Sequence, residues 1–176
     1  MKKIDQVPNS YRDFKKAAVM ILIDEKNRVL FTKRTDQLRT HRGQISFPGG
    51  KLDKEDKSLK DAALRETYEE IGLNPHKIFN IIELRPSYSP LGFIIYPFIG
   101  RIMGKLDFFL SAGEVERVIR VPFDFFCKQS PYRRYYIMAK ERIRADFYVF
   151  GPHLIWGATA RILTSFIENG SLKNIL

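Results

Sequence analysis

Three glutamates and an arginine stand close together in Arg65-Glu66-Thr67-Tyr68-Glu69-Glu70-Ile71-Gly72. The surrounding residues, 58–72, read as a helix. Ser58 with Asp61 three residues on makes a capping-box-like start, and Gly72 with Pro75 beyond it supplies the stop. At about 100° per residue, Leu64, Tyr68 and Ile71 form one apolar side. Leu59, Ala62 and Ala63 begin a second stripe that continues as Glu66, Glu69 and Glu70. Carboxylates at i,i+3 and i,i+4 repel one another, and the dipole at a helix C-terminus also disfavours anions. Arg65 can pair with Glu69 at i,i+4, but a hard divalent cation would offset more of the cost. Mg²⁺ and Mn²⁺ prefer carboxylate oxygens and keep waters for substrate phosphates. The alternative is a solvated acidic helix end. Pro48-Gly49-Gly50 ahead of the helix weighs against it, because paired glycines let backbone approach a metal or a phosphate closely.

A second group of chemical residues precedes the glycines. Arg34, Arg39 and Arg42, with His41, put several donors into one polar loop, and guanidinium forks suit phosphate oxygens. Each basic residue could instead be a solvated loop charge, and His41 a structural hydrogen-bond donor.

The elements that must position these groups follow from periodicity. Residues 16–24 and 28–34 are apolar runs around Asp24-Glu25-Lys26-Asn27, a strand hairpin. Residues 35–43 read as loop, and Gln44 to Phe47 as a short strand broken by Pro48-Gly49-Gly50. Strands are expected at 78–84 and 92–100, separated by a turn at Pro86 to Pro90, and at Val115 to Val121. A further hairpin is expected from Tyr132 to Met138 and Asp146 to Phe150. A last helix over 153–168 would carry Ile155, Ala158, Ile162 and Phe166 as its stripe, with Trp156 packed in the core. Without regular βαβ alternation, the pattern predicts an α/β fold, a mixed β-sheet with helices on it in an α/β/α sandwich. An N-terminal arm (1–15) would precede one domain (16–170), and a short tail (171–176) would follow it.

Composition narrows the function classes. The chain has 176 residues, 44% of them hydrophobic, which supports one packed domain. Thirty Lys and Arg against twenty Asp and Glu give a formal charge of +10, favouring polyanionic partners. The lone Cys127, beside Phe125-Phe126, excludes an internal disulfide and suits the cytoplasm; it reads as packing rather than a nucleophile. The run Ala17 to Ile23 is too short to span a bilayer. His76 and His153 read as surface or capping residues. The basic-aromatic stretch Tyr132-Arg133-Arg134-Tyr135-Tyr136, with Lys140, Arg142 and Arg144, could stack adenine, hold a phosphate, form an exposed hairpin or make an oligomer contact.

Gly50 to Leu73 resembles the Nudix box. Its second half is intact as Arg65-Glu66, Glu69-Glu70 and Gly72-Leu73. Its first half is one residue longer than usual, with Asp56 at the acidic position and Asp53 nearby. The preceding Thr32, Arg34, Leu38-Arg39, His41, Gly43 and Phe47 to Gly50 resemble the added signature of the coenzyme A pyrophosphatase branch, with Thr35 where that branch usually has Ser. The resemblance implies a Nudix-like fold and hydrolysis of coenzyme A or acyl-CoA to 3′,5′-ADP and (acyl-)4′-phosphopantetheine. It implies Glu66 and Glu70 as principal ligands of Mg²⁺ or Mn²⁺, Glu69 as a ligand or orienter, and Arg65 orienting the glutamates. Arg34, Arg39, His41, Gly49 and Gly50 would bind substrate. Glu66 is the first choice of general base and Glu114 the second. A small molecule is the expected partner rather than nucleic acid or membrane, and a homodimer is left open. Two rivals stand: hydrolysis of another nucleoside diphosphate derivative (ADP-ribose, a dinucleotide, capped RNA), and a silent RNA-binding module.

Overall fold

In the computed structural model, which describes residues 14–38, 40–104, 106–138 and 141–168, the first apolar run becomes the central strand. Strand β1 (Lys15–Ile23) pairs antiparallel with β2 (Arg28–Arg34) and in parallel with β7 (Phe93–Ile102) across nine residues. Its second half is buried on both faces. Ile21 and Ile23 join one apolar cluster, while Ala18, Met20 and Leu22 join another, as alternation in a strand requires.

The sheet continues as β3 (Ile45–Ser46), β2, β1, β7 and β5 (Ile78–Glu83). Three more strands join it: β4 (Gly49–Lys51) on β1, β6 (Ser87–Ser89) on β7, and β8 (Val115–Pro122) on β2. Helix α1 (Leu59–Ile71) covers one face, contributing Ala62, Ala63 and Ile71. Helices α2 (Phe123–Lys128) and α3 (Gly157–Glu168) contribute Phe123, Phe126, Ile162, Leu163 and Phe166 to the other side. The expected α/β/α layering with a mixed sheet is therefore present. A second, antiparallel sheet orders β11 (His153–Trp156), β10 (Glu141–Phe150) and β9 (Tyr132–Met138). Among the described residues no helix is long and apolar enough to cross a membrane.

Several expectations are corrected. The short strand does end before Pro48, as β3 at Ser46, but the glycines that follow start a new strand rather than a loop. The Pro48 carbonyl accepts from Met20 N at 2.8 Å, and Gly49 and Gly50 pair with Val19 and Ala18 as β4. The turn at Pro86 to Pro90 contains β6. The last helix begins at Gly157, because His153–Trp156 pairs with β10; Trp156 is thus a strand residue, 43% exposed, and not a core residue. Helix α2 was not anticipated, and Cys127 on it is exposed while Phe126 packs. On α1, Tyr68 is 56% exposed; the inward face is Ala62, Ala63, Thr67, Glu70 and Ile71. Sequence spacing defines angular faces, but the position of the sheet decides which one is covered. Of the arm (1–15), residues 1–13 lie outside the described residues, while Lys15 already belongs to β1; the tail (171–176) lies outside them entirely.

Candidate active site

Helix α1 is stopped at both ends by local chemistry. The Ser58 hydroxyl accepts from Asp61 N at 3.1 Å and donates to the Asp61 carboxylate at 2.8 Å. Gly72, at φ 69°, turns into the left-handed region, and its N–H donates to Tyr68 O. The three glutamates between these ends have three different environments. Glu69 is mostly exposed, Glu66 is largely covered, and Glu70 is buried.

Strand β2 explains the burial of Glu70. Leu30, Thr32 and Arg34 alternate onto the face that α1 covers. Thr32 Oγ1 donates to Glu70 Oε2 at 3.3 Å. Burial is the largest influence on this carboxyl and pushes it up to about 7; the positive charge of Arg34 opposes that, Glu66 and Glu114 add to it, and the Thr32 bond opposes it. Glu66 is also raised, first by burial, against the pull of Arg65 and with Glu69 and Glu114 adding to the rise. Glu66, Glu70 and Glu114 therefore share one electrostatic field.

Arg65 organises the exposed side of this cluster. Its Nε and Nη2 donate to the two oxygens of Asp56 at 2.9 Å each, a bidentate fork. Its Nη1 donates to Glu66 at 3.1 Å and Glu69 at 2.9 Å, and Nη2 also reaches Lys51 O at 3.3 Å. The Asp56 side chain is nearly covered and accepts from Asp53 N at 2.8 Å; the Arg65 fork holds its carboxyl below the usual range. The longer loop thus returns Asp56 to Arg65, giving Asp56 the role of anchoring the arginine. The bond from Arg65 to Glu69 has the expected i,i+4 spacing.

Gly49 and Gly50 are required by close approach. A Cβ on Gly49 would lie 2.3 Å from Ala18 O, and one on Gly50 would lie 2.3 Å from the Glu66 carboxylate carbon. The Glu66 head group therefore rests against the backbone of β4.

Sequence reasoning missed the segment 106–113, which runs across the C-terminus of α1. Phe109 N donates to Ile71 O and Ser111 N to Glu70 O, both at 3.0 Å. These bonds satisfy helix carbonyls where α1 has no basic residue in its last turn. Further on, Glu114 N donates to Ser111 O at 2.9 Å and Thr35 N to Glu114 O at 3.0 Å, fixing the backbone of Glu114. The segment's only sequence signal was its apolar Leu106, Phe108 and Leu110, which pack on the α1 side of the sheet. Thr32 was legible only as part of the family pattern; its parity with Arg34 along β2 was the available clue.

The remaining predicted residues divide. Arg34 stands beside Glu70, with a buried Nε that has no hydrogen-bond partner. His41, at φ 58°, exchanges a 2.8 Å hydrogen bond with Gln44, and Arg42 Nε donates to Leu38 O. Both are exposed and engaged within their own loop. Arg39 lies outside the described residues. His76 is exposed beside the Asn74 cap, and His153 lies in β11.

The donor chemistry fits a hard divalent cation. Glu66 and Glu70 offer carboxylate oxygens, and burial deprives the Glu70 carboxylate of the solvation an ionised group needs. Among the described residues no three acidic, histidine or cysteine side chains already form a closed ligand cluster. An open set of one or two carboxylates suits Mg²⁺, which retains waters and takes further oxygens from substrate phosphates.

Comparison with known proteins bears on the family and the fold. The NUDIX domain model matches residues 13–120. The uncharacterized Nudix hydrolase NudL of Photorhabdus laumondii is 35% identical over 150 residues, covering 84% of this chain and 80% of that protein. Mitochondrial Nudix hydrolase 15 of Arabidopsis thaliana is 38% identical over 160 residues, or 85% of this chain; the match spans only 56% of the plant protein. Among solved structures, a MutT protein of Methanosarcina mazei superimposes with a TM-score of 0.55 at 18% identity, covering 91% of this chain and 94% of that one.

Proposed function

This chain belongs to the Nudix family of hydrolases, and on that premise we propose that it cleaves the pyrophosphate bond of coenzyme A or an acyl-CoA, with Mg²⁺ or Mn²⁺ as cofactor. The observation that carries the substrate reading is the position of Arg34. It belongs to the block Thr32 to Gly50 that resembles the coenzyme A pyrophosphatase signature, and its buried, unpartnered Nε lies beside the acidic cluster. A buried donor without an acceptor is costly unless a ligand supplies one. A pyrophosphate oxygen is such an acceptor.

Glu66 and Glu70 would hold the cation, with Glu69 assisting. The cation, when bound, supplies positive charge against the pyrophosphate and acidifies a water. Arg34 and Arg39 bind phosphate oxygens, His41 contacts the substrate, and the Gly49-Gly50 backbone lets it come close. Water attacks one phosphorus, the bridging P–O bond breaks, and Glu66 accepts the proton, with Glu114 second in line for that role. Arg65 turns Glu66 and Glu69 toward the site, and Asp56 holds Arg65. The products are 3′,5′-ADP and 4′-phosphopantetheine or its acyl form. The single cysteine suits a reducing compartment, and the cytoplasm is the proposed location.

The test is incubation with coenzyme A, acetyl-CoA, ADP-ribose, a diadenosine polyphosphate and capped RNA, with either metal, followed by product masses. Metal-dependent 3′,5′-ADP from coenzyme A, lost in Glu70→Gln, is the expected result. Turnover confined to another substrate would overturn the coenzyme A assignment. Salt-sensitive RNA binding without any turnover would point to a silent binding module.

A further inference from the structure

Where β10 meets β11 the three-stranded sheet has two unlike faces, while at the far end of β9 Tyr135 and Ile137 on the inner parity are exposed as well. Tyr148 and Ile155 are opposite one another in register and buried, which defines the inner face. Phe147 opposite Trp156, Val149 opposite Leu154, and Tyr132 opposite Phe147 therefore define the outer face, which Tyr136 extends. Tyr132 is 66% exposed, and Tyr136, Val149, Leu154 and Trp156 are between 43% and 48% exposed.

Charge is arranged to leave this face nearly neutral. Arg133 and Arg144 fall on the inner parity, where Arg144 pairs with buried Asp146 at 2.9 Å and Arg133 pairs with Asp146 and Glu168. Arg134 on β9 and Glu141 on β10 are the charged residues on the outer parity of the described strands, and their formal charges cancel. A polyanion would find aromatic rings here but little positive charge, although the chain carries +10 overall.

We propose that this face is the contact surface of a homodimer, packed against the same face of a second copy. A neutral patch is where two copies of a strongly basic chain can meet without repulsion. The exposed area also suffices: aromatic side chains present up to about 150–250 Å² each, so the outer face offers roughly 500–600 Å² per copy. Complete burial of that area in two copies would remove about 1,000–1,200 Å², the size of a weak, reversible interface, and one self-complementary patch is what two-fold symmetry requires. Among the described strands β9 pairs only with β10, so the patch reaches a sheet edge.

Trp156 is the sole tryptophan, so it reports directly from the proposed interface. Light scattering across a dilution series, read with Trp156 emission, tests the proposal. The expected mass at micromolar concentration is twice 20.6 kDa, with emission shifting to the red as dilution halves that mass. Tyr132→Glu and Leu154→Glu, both at exposed positions, should each weaken association at least tenfold while circular dichroism and coenzyme A turnover stay unchanged. A monomer at all concentrations would overturn the proposal. So would a dimer whose Trp156 emission ignores dissociation, or one indifferent to both variants. Blue-shifted emission in a monomer would show the face covered by the chain's own segments, and emission changing only with an RNA oligonucleotide would show a nucleic-acid platform.

Discussion

Replacing Glu70 by glutamine should stabilise the metal-free protein while abolishing its activity. Glu70 is buried, and its carboxyl is raised from 4.5 to about 7, chiefly by burial. A carboxyl that binds protons more tightly when folded destabilises the fold once it ionises. Stability should fall as pH rises from 4.5 through about 7 and stay low above that. At about 1.4 kcal/mol for each tenfold change in proton affinity, the ionised group costs on the order of 3 kcal/mol at pH 8. Glutamine removes that cost and can keep the Thr32 bond through its amide oxygen, but it buries an NH₂ group, which returns about 1 kcal/mol. The net gain of about 2 kcal/mol corresponds to roughly 4–8 °C in Tm for a domain of this size. Thermal melts in chelator at pH 8 and pH 5 should show the gain at the higher pH and its loss at the lower. Adding Mg²⁺ at pH 8 should raise the wild-type Tm and leave the variant nearly unmoved. A variant less stable than wild type at pH 8, or a gain equal at both pH values, would refute the argument that an uncompensated buried charge sits at this position.

Arg65→Lys should lower kcat about 100-fold with a smaller effect on KM, since one ammonium cannot reproduce the fork to Asp56 together with the bonds to Glu66 and Glu69; steady-state kinetics on the best substrate would measure this, and a change confined to KM would contradict it. Gly50→Ala should cut turnover by a similar factor with little change in Tm, because its Cβ would stand where the Glu66 carboxylate now lies; wild-type turnover would show that Glu66 can move without consequence.

The acidic helix, its caps and its register follow from local amino-acid order, which likewise sets the β1–β2 hairpin. Ser58 and Gly72 act through atoms within a few residues, and the pairing of Arg65 with Glu69 follows from helical spacing alone. Local order also sets the alternation of strand residues between two cores, because a period of two needs no knowledge of partners. Tertiary structure decided which glutamate is buried. Glu66 and Glu70 are equivalent by spacing; Thr32 on β2, 38 residues earlier, covers Glu70, whereas Glu66 meets Arg65 and the β4 backbone. Tertiary structure also decided that the glycines form a strand, since their pairing with Val19 and Ala18 is non-local. It converted the start of the expected last helix into β11, because pairing with β10 satisfies the backbone that a helix would otherwise satisfy internally. The role of Asp56 and the segment closing over the end of α1 were illegible for the same reason. Local sequence sets which conformations are cheap, whereas burial, electrostatic coupling and long-range hydrogen bonding depend on which distant groups the fold brings alongside.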